Sequence, residues 1–298
     1  GVGCLQFMLD NGNDKDWFAS PMIVTLGIVA LVALAFLIVW ELTDKHPIVD
    51  LSLFRHRNFS MGVLALSLGF FTFFGINVVY PLWLQTVMGY TATWAGLAVA
   101  PGGILAFVFA PIIGRNMQRL NLRMVVSLAF VILGFTSFWF ARFNTDTSFW
   151  QLFWPRLVQG AGIACFFIPI TQIVLSEMKP EQMANASGLS NFCRTLSGSM
   201  STAAFVTLWQ HRGEHHHAIL AESVRASSSG ASHYLDALAR LHLPTLPGYA
   251  AIEQIALREA MTLAVNDVFF SCGVLFVLII GAVWLTRPPF GSAQGMGH

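Results

Sequence analysis

Charged residues are scarce in this sequence. Asp, Glu, Lys and Arg make up 10% of its 298 residues, whereas a soluble globular domain carries about 25%. Hydrophobic residues make up 55%, and the mean hydropathy is +0.65. Apolar side chains in such excess need an apolar solvent, which in a cell is the lipid bilayer. The composition therefore excludes an ordinary water-soluble fold and indicates a membrane protein.

Other features are missing as well. The 16 Lys and Arg residues barely exceed the 15 Asp and Glu residues, so the sequence predicts no strongly basic surface that would bind nucleic acid. The four cysteines form no CxxC pair, and the run His215 to His217, with His211 nearby, has no acid or cysteine at a convincing metal-ligand spacing. Catalytic triads, phosphate loops and HExxH motifs are also absent. We predict no enzyme activity, no metal site and no cofactor.

Long apolar runs are what the sequence has instead. A helix needs about 20 apolar residues to cross the hydrocarbon layer. Seven runs of that kind are Met22 to Trp40, Ser60 to Leu84, Ala92 to Ile113, Met124 to Phe143, Trp150 to Leu175, Ala184 to Trp209 and Asp267 to Thr286. Residues 1–9 resemble the last turns of a truncated helix. The pattern predicts an all-α, polytopic transmembrane helix bundle.

The basic residues of the short loops predict its orientation. If residues 287–298 form a cytoplasmic tail, the outer short loops hold only Lys15 and Arg142, and the other short-loop basic residues lie inside. In this topology residues 10–210 contain six spans, residues 211–266 form a long polar external loop, and residues 267–286 form the last span. A short amphipathic helix is expected near Glu253 to Glu259.

Two arginines within the spans are costly in lipid, by roughly 2.5–3.5 kcal/mol each at a helix centre. Arg156 lies near the outer end of its span, and either snorkelling to the interface or facing a cavity explains it. Arg194 lies deeper and indicates a cavity. Asn191 shares its helical face with small and polar residues, although close helix packing explains such a face too. These residues are Gly188, Thr195, Gly198 and Thr202.

Polar residues beside helix-breaking prolines complete the predicted substrate cavity. Gln159 lies in the same span as Arg156, and Asn77 and Tyr80 lie one turn apart next to Pro81. Transporters use such interrupted helices for substrate sites. Asp267, at the edge of the last span, is the only acid within the predicted spans. A proton-coupling carboxylate is therefore expected in a part of the protein outside this sequence.

Several separate motifs resemble one family. They are Leu5 to Asp10, Trp40 to Asp44, Pro47 to Leu51, Leu53 to Arg55, Gly89 to Leu97, Pro111 to Arg115 and Arg287 to Gly291. The sequence is similar to the EmrB type of drug and proton antiporter, in the fourteen-helix branch of the major facilitator superfamily. This resemblance implies the C-terminal portion of a bacterial inner-membrane exporter. It also implies lipophilic small-molecule substrates, protons, a periplasmic adaptor and an outer-membrane channel as partners.

The loop from Gly114 to Arg123 resembles the superfamily's cytoplasmic loop motif, which implies roles for Gly114, Arg115, Arg119 and Arg123 in locking the closed cytoplasmic side. Gln118 and Asn121 depart from the usual pattern. Ordinary positive-inside charge also explains the arginines.

The sequence thus predicts a multidrug efflux transporter driven by proton antiport within a tripartite pump. One alternative is an exporter of the same superfamily with a narrower substrate, such as a siderophore, fatty acid or metabolite. Another is a non-transporting membrane scaffold or a membrane-embedded enzyme.

Overall fold

The computed structural model describes residues 2–12, 15, 19–43, 51–223, 245–288 and 290. This part of the chain contains helices and no strand. The α-helices are α1 (Val2–Asn11), α2 (Pro21–Thr43), α3 (Arg57–Thr86), α4 (Ala92–Val99), α5 (Pro101–Asn116), α6 (Leu122–Phe140), α7 (Phe149–Leu175), α8 (Met183–Ser223) and α9 (Thr245–Trp284). Short 3-10 helices occupy Leu51–Arg55 and Pro180–Gln182.

Five segments of the described chain are long and apolar enough to cross a membrane: Arg57–Thr86, Ala92–Asn116, Leu122–Phe140, Phe149–Leu175 and Ala251–Trp284. The predicted all-α membrane bundle is confirmed. The predicted spans in α2 and α8 are helical but fall short of the same criterion within the described residues, because α8 is much more polar and α2 contributes only Pro21–Phe36 as an apolar segment.

The described ends of the predicted external loop are helices, and its position outside the membrane stays a prediction. Helix α8 continues past Trp209 to Ser223, and α9 begins at Thr245, well before Asp267. Both ends of the expected loop 211–266 are therefore helical. Polarity in a sequence favours a loop, but a polar segment stays helical when it pairs with a neighbouring helix. Residues 224–244 of that loop, residues 291–298 of the predicted tail, and Lys45 lie outside the described residues.

The helices surround an aromatic core. Helix α3 packs against α7, α8 and α9, α6 packs against α7 and α9, and α5 packs chiefly against α7. Helix α1 contacts α2 and α8. The largest fully buried side chains are Trp83, Tyr80, Phe59, Phe130, Phe140, Phe166, Phe269 and Phe276. Aromatic side chains of this size account for much of the apolar surface that the bundle buries, and their contacts hold the packed helices in fixed positions.

Helices α5 and α7 approach each other at glycines. The segment Ala92–Asn116 divides at Ala100, since Pro101 has no amide hydrogen to continue the helical pattern. Next to this break, a side chain on Gly160 would collide with the carbonyl oxygen of Gly102. Only the absence of that side chain lets the two backbones meet, and this contact lies beside Arg156.

Candidate functional site

A cavity of about 490 Å³ lies between α1, α3, α7 and α8, with Arg194 on its wall. This volume is within the range of about 300–1,000 Å³ that holds drug-sized ligands. The lining residues are Gln6, Phe70, Phe74, Phe167, Arg194, Thr195, Gly198, Ser199 and Thr202. Aromatic rings thus form one wall and small polar groups form the other.

The periodicity of α8 places these polar groups together. Arg194, Gly198 and Thr202 follow at intervals of four residues, so they share one helical face. The guanidinium carbon of Arg194 lies 4.9 Å from the centroid of the Phe70 ring, which is cation–π distance. The arginine is half-buried, so its charge meets both an aromatic ring and an open space. Such a wall suits an apolar ligand with a polar or charged end.

The structure brings together only part of the predicted polar face. Thr195, Gly198 and Thr202 line the cavity with Arg194. Asn191 is exposed and is not among the residues of this wall; its carbonyl accepts a hydrogen bond of 3.0 Å from Thr195. A side chain added at Gly188 would meet nothing within 4 Å. A role for Asn191 in the cavity stays a prediction.

Four other predicted residues form a separate cluster inside the bundle. Arg156 of α7 donates a hydrogen bond of 2.5 Å to the side-chain oxygen of Asn77 in α3 and another to Gln159. Its guanidinium carbon lies 5.0 Å from the ring centroid of Tyr80. The sequence pointed to these residues by their polarity within the spans and their place beside prolines. Their direct contacts were not predictable, because Asn77 and Arg156 are 79 positions apart.

Arg156 does not snorkel. This residue is 2% exposed and Gln159 is 0% exposed, so the interpretation that Arg156 extends to the outer interface is wrong. The reason is that Asn77 and Tyr80 offer polar and aromatic contacts inside the bundle. Within the described chain, the Arg156 Nε, the Gln159 Nε2 and the Tyr80 hydroxyl have no hydrogen-bond partner. The cluster is therefore buried, positively charged and incompletely paired.

The two arginines occupy different levels of the same bundle. Arg156 and Phe167, which lines the Arg194 cavity, are eleven residues apart on α7, which is about 16 Å along a helix. The Arg156 cluster and the Arg194 cavity are thus two sites rather than one. The predicted set of cavity residues divides accordingly, with Arg194 in the cavity and Arg156, Gln159, Asn77 and Tyr80 in the buried cluster.

The cytoplasmic loop motif is mostly exposed. Gly114, Arg115 and Arg119 lie at the surface, and their predicted locking role stays a prediction. Arg123 instead donates a hydrogen bond to the carbonyl of Thr286 and lies 5.5 Å from the Trp284 ring. It therefore holds the end of α9.

The neighbours of Arg123 at this end of the bundle were not expected from the sequence. Arg57 donates to the carbonyl of Leu285 at 2.7 Å. Asn58 donates to the carbonyl of Arg287 at 2.8 Å and accepts from its amide at 2.7 Å. Three successive carbonyls after α9 are thus bound by side chains of α3 and α6. No local signal marks such contacts, since the partners are more than 150 positions apart.

At the opposite end, α8 and α9 continue side by side as a helical extension, which we define as residues 210–223 and 251–266. Asp267 accepts a hydrogen bond from Arg212 at 2.6 Å and pairs with His216 at 2.8 Å. His217 lies 2.8 Å from Glu253. These contacts join the polar segment of α8 to α9, and Asp267 has two side-chain partners within the described chain.

The structure is a bundle of apolar helices with a polar-walled cavity and charged residues within its spans. These features define a multi-pass membrane protein. The chain matches the Major Facilitator Superfamily over residues 7–202. That match covers most of the sequence, so the chain belongs to this superfamily, and the resemblance carried by the sequence motifs is confirmed.

Several relatives are similar over almost the whole chain. The multidrug export protein EmrB of Escherichia coli strain K12 is 44% identical over 298 residues, which are 100% of this chain and 58% of that protein. The fatty acid resistance protein FarB of Neisseria gonorrhoeae is 43% identical over 298 residues, which are 100% of this chain and 59% of that protein. The multidrug export protein EmrB of Haemophilus influenzae is 39% identical over 293 residues, 98% of this chain and 58% of that protein. The chain thus spans somewhat more than half of each relative.

Proposed function

We propose that this chain is part of a multidrug efflux transporter that exports hydrophobic or amphipathic compounds by proton antiport. Two relatives at 44% and 39% identity are named as multidrug export proteins. Superfamily transporters expose a central site alternately to each side of the membrane. The Arg194 cavity is our candidate for one wall of that site.

The observation that carries the proposal is the composition of this wall. Rings of Phe70, Phe74 and Phe167 provide an apolar surface, and Arg194, at cation–π distance from Phe70, provides a cation. Small-molecule sites combine aromatic surface with placed polar groups, and this cavity provides both. Arg194 is half-buried and has no acid within 4 Å among the described residues, which favours compounds that carry an anionic or strongly polar group.

The test is Arg194→Ala in the whole transporter. Resistance of an efflux-deficient strain should fall for lipophilic anionic compounds, while the amount of protein in the membrane stays equal. Arg142→Ala, at an exposed arginine outside the cavity, is the matched control and should leave resistance intact. Unchanged resistance in the Arg194 variant at equal abundance would remove this residue from the site.

A narrower substrate is the second candidate, because the relative FarB is named for fatty acid resistance. A panel that contains cationic dyes, neutral antibiotics, uncouplers and fatty acids separates the two. Protection against several chemical classes supports multidrug export. Protection against fatty acids alone supports the narrow carrier.

We further infer that the protein lies in a bacterial inner membrane with its C-terminus in the cytoplasm, and that protons drive transport. Positive-inside charge supports this orientation. Asp267 is held by Arg212 and His216, which leaves it poorly suited to releasing and binding protons in each cycle. The proton-coupling acid is therefore expected elsewhere in the transporter. Labelling of a cysteine placed at Arg119 from the cytoplasmic side alone would support the orientation, and labelling from outside would contradict it.

The helical extension is our candidate contact for a periplasmic adaptor, which in turn would join an outer-membrane channel. Ile219 of α8 and Ile255 of α9 are 53% and 58% exposed on it. Exposed apolar residues outside the membrane often mark protein contacts. The double variant Ile219→Glu with Ile255→Glu should weaken co-purification of the adaptor at unchanged abundance. Full co-purification would exclude this surface.

A further inference from the structure

The Arg156 cluster contains a buried charge without a counter-charge. Among the described residues, no Asp or Glu side chain lies within 4.0 Å of Arg156. Its partners, Asn77 and Gln159, are neutral amides. A buried cation of this kind is costly, because neutral groups replace only part of its hydration.

The cluster also has unused donors. The Nε of Arg156, the amide nitrogen of Gln159 and the hydroxyl of Tyr80 are buried, and the described chain gives them no partner. Buried polar groups normally have partners, and each exception calls for an explanation. All three groups can donate a hydrogen bond, and two of them flank a guanidinium. An acceptor with negative charge would satisfy both the charge and the donors.

We propose that the Arg156 cluster is a binding site for a carboxylate. This inference rests on the transport function proposed above and gives that function a substrate class. The guanidinium fork matches the two oxygens of a carboxylate, and the Tyr80 hydroxyl and Gln159 amide supply further donors. The carboxylate comes either from a transported fatty acid or from an acidic side chain elsewhere in the transporter.

Helix α5 covers the cluster and is its route of access. It packs chiefly on α7, and most of the span Ala92–Asn116 is not buried. A side-chain carbon added to Gly102 would lie 3.7 Å from the Arg156 Nε, so α5 passes close to this unpartnered donor. A small movement of α5 away from α7 opens the cluster without disturbing α3, α6 or α9.

Gln159→Glu is the most direct test. Glutamate has nearly the shape of glutamine and places a negative charge where the Gln159 oxygen already accepts from Arg156. The internal charge should compete with any other carboxylate. The thermal unfolding temperature of the purified whole transporter is measured with laurate and with dodecanol, which lacks the charge. Tyr80→Phe, Arg156→Gln and the exposed control Arg142→Gln complete the set.

If the ligand is a substrate, laurate but not dodecanol stabilises the wild type and the Arg142 control. Gln159→Glu then abolishes this effect without lowering the unfolding temperature, and Tyr80→Phe weakens laurate binding about tenfold. If the carboxylate is part of the protein, laurate has no specific effect, and Arg156→Gln strongly lowers the unfolding temperature because it leaves that acid unpaired. Both results support the site.

The proposal is overturned if laurate acts equally on all variants, or if laurate has no specific effect and Arg156→Gln leaves the unfolding temperature unchanged or higher. Export of cationic and neutral drugs is measured in parallel. If the wild type exports these drugs normally, either of the two overturning laurate results refutes the carboxylate site alone. If the wild type exports no compound, the transport function is refuted.

Discussion

Arg156 and Arg194 are the same residue type in neighbouring membrane helices, yet their surroundings differ. Arg156 is 2% exposed and is held by Asn77 and Gln159. Arg194 is half-buried, lies at cation–π distance from the Phe70 ring and lines an open cavity. The same charge is therefore held by neighbouring side chains in one region and faces open space in the other. Substitutions that remove a contact of Arg156 should lower stability, whereas substitutions around Arg194 should change drug transport with little effect on stability.

The largest effect is expected at Gly160. In Gly160→Ala the new methyl group would collide with the Gly102 carbonyl oxygen, so α5 must move away from α7. Overpacking of this kind costs about 1–3 kcal/mol, and a backbone clash belongs at the upper end. The unfolding temperature of the purified protein checks this. Gly103→Ala is the control, because nothing lies within 4 Å of its added methyl group.

Asn77→Ala should be next in size. It removes the acceptor of an Arg156 hydrogen bond and leaves a buried cation with one partner fewer, a loss of about 1.5–3 kcal/mol. Thr195→Ala, on the wall of the Arg194 cavity, should change stability by less than about 0.5 kcal/mol. Chemical denaturation of both variants in detergent compares the regions directly. Equal losses would break the distinction between them.

Gly198→Leu tests the comparison of the two regions at the Arg194 cavity. A first side-chain carbon there would lie 3.6 Å from Phe74, which is ordinary contact, and the rest of the leucine would enter the cavity. Export of bulky compounds should fall about tenfold, equivalent to roughly 1.4 kcal/mol, with little change in abundance. Gly188→Leu, on the same helix but in open space, is the matched control. Drug resistance normalised to protein amount is the measurement.

The smallest effect is expected outside both regions, at Arg212→Ala. This arginine pairs with Asp267 at 2.6 Å, but both side chains are at least a third exposed. Exposed ion pairs contribute about 0–1 kcal/mol, and His216 remains to hold Asp267. The unfolding temperature should fall only slightly, and less at high salt. A large loss would show that this exposed charge pair matters as much as the Arg156 contacts.

Much of the fold was predictable because lipid imposes a simple rule on sequence. Apolar runs of sufficient length predicted the helices. The cost of charge in lipid drew attention to Arg156 and Arg194 but left open whether Arg156 reaches the interface. The extension of α8 to Ser223 was missed, since its stability depends on contacts with α9. Local polarity does not reveal a tertiary partner.

The sequence predicted most polar residues of the two regions but not their division into two regions. Helical periodicity placed Thr195, Gly198 and Thr202 with Arg194. It could not show that Asn77 contacts Arg156 rather than Arg194, because the relative height of α3, α7 and α8 follows from packing of distant segments. Phe70 and Phe167, which line the cavity, carried no signal among the many phenylalanines.

Protection of a cysteine in the cavity tests the central claim most directly. Gly198→Cys is introduced into the whole transporter after replacement of Cys4, Cys165, Cys193 and Cys272, and its reaction with a water-soluble maleimide is followed with and without an exported compound. We expect the cysteine to react and the compound to slow the reaction several-fold. A cysteine that does not react in an actively exporting protein, or one whose reaction the compound leaves unchanged, would contradict a substrate site at Arg194.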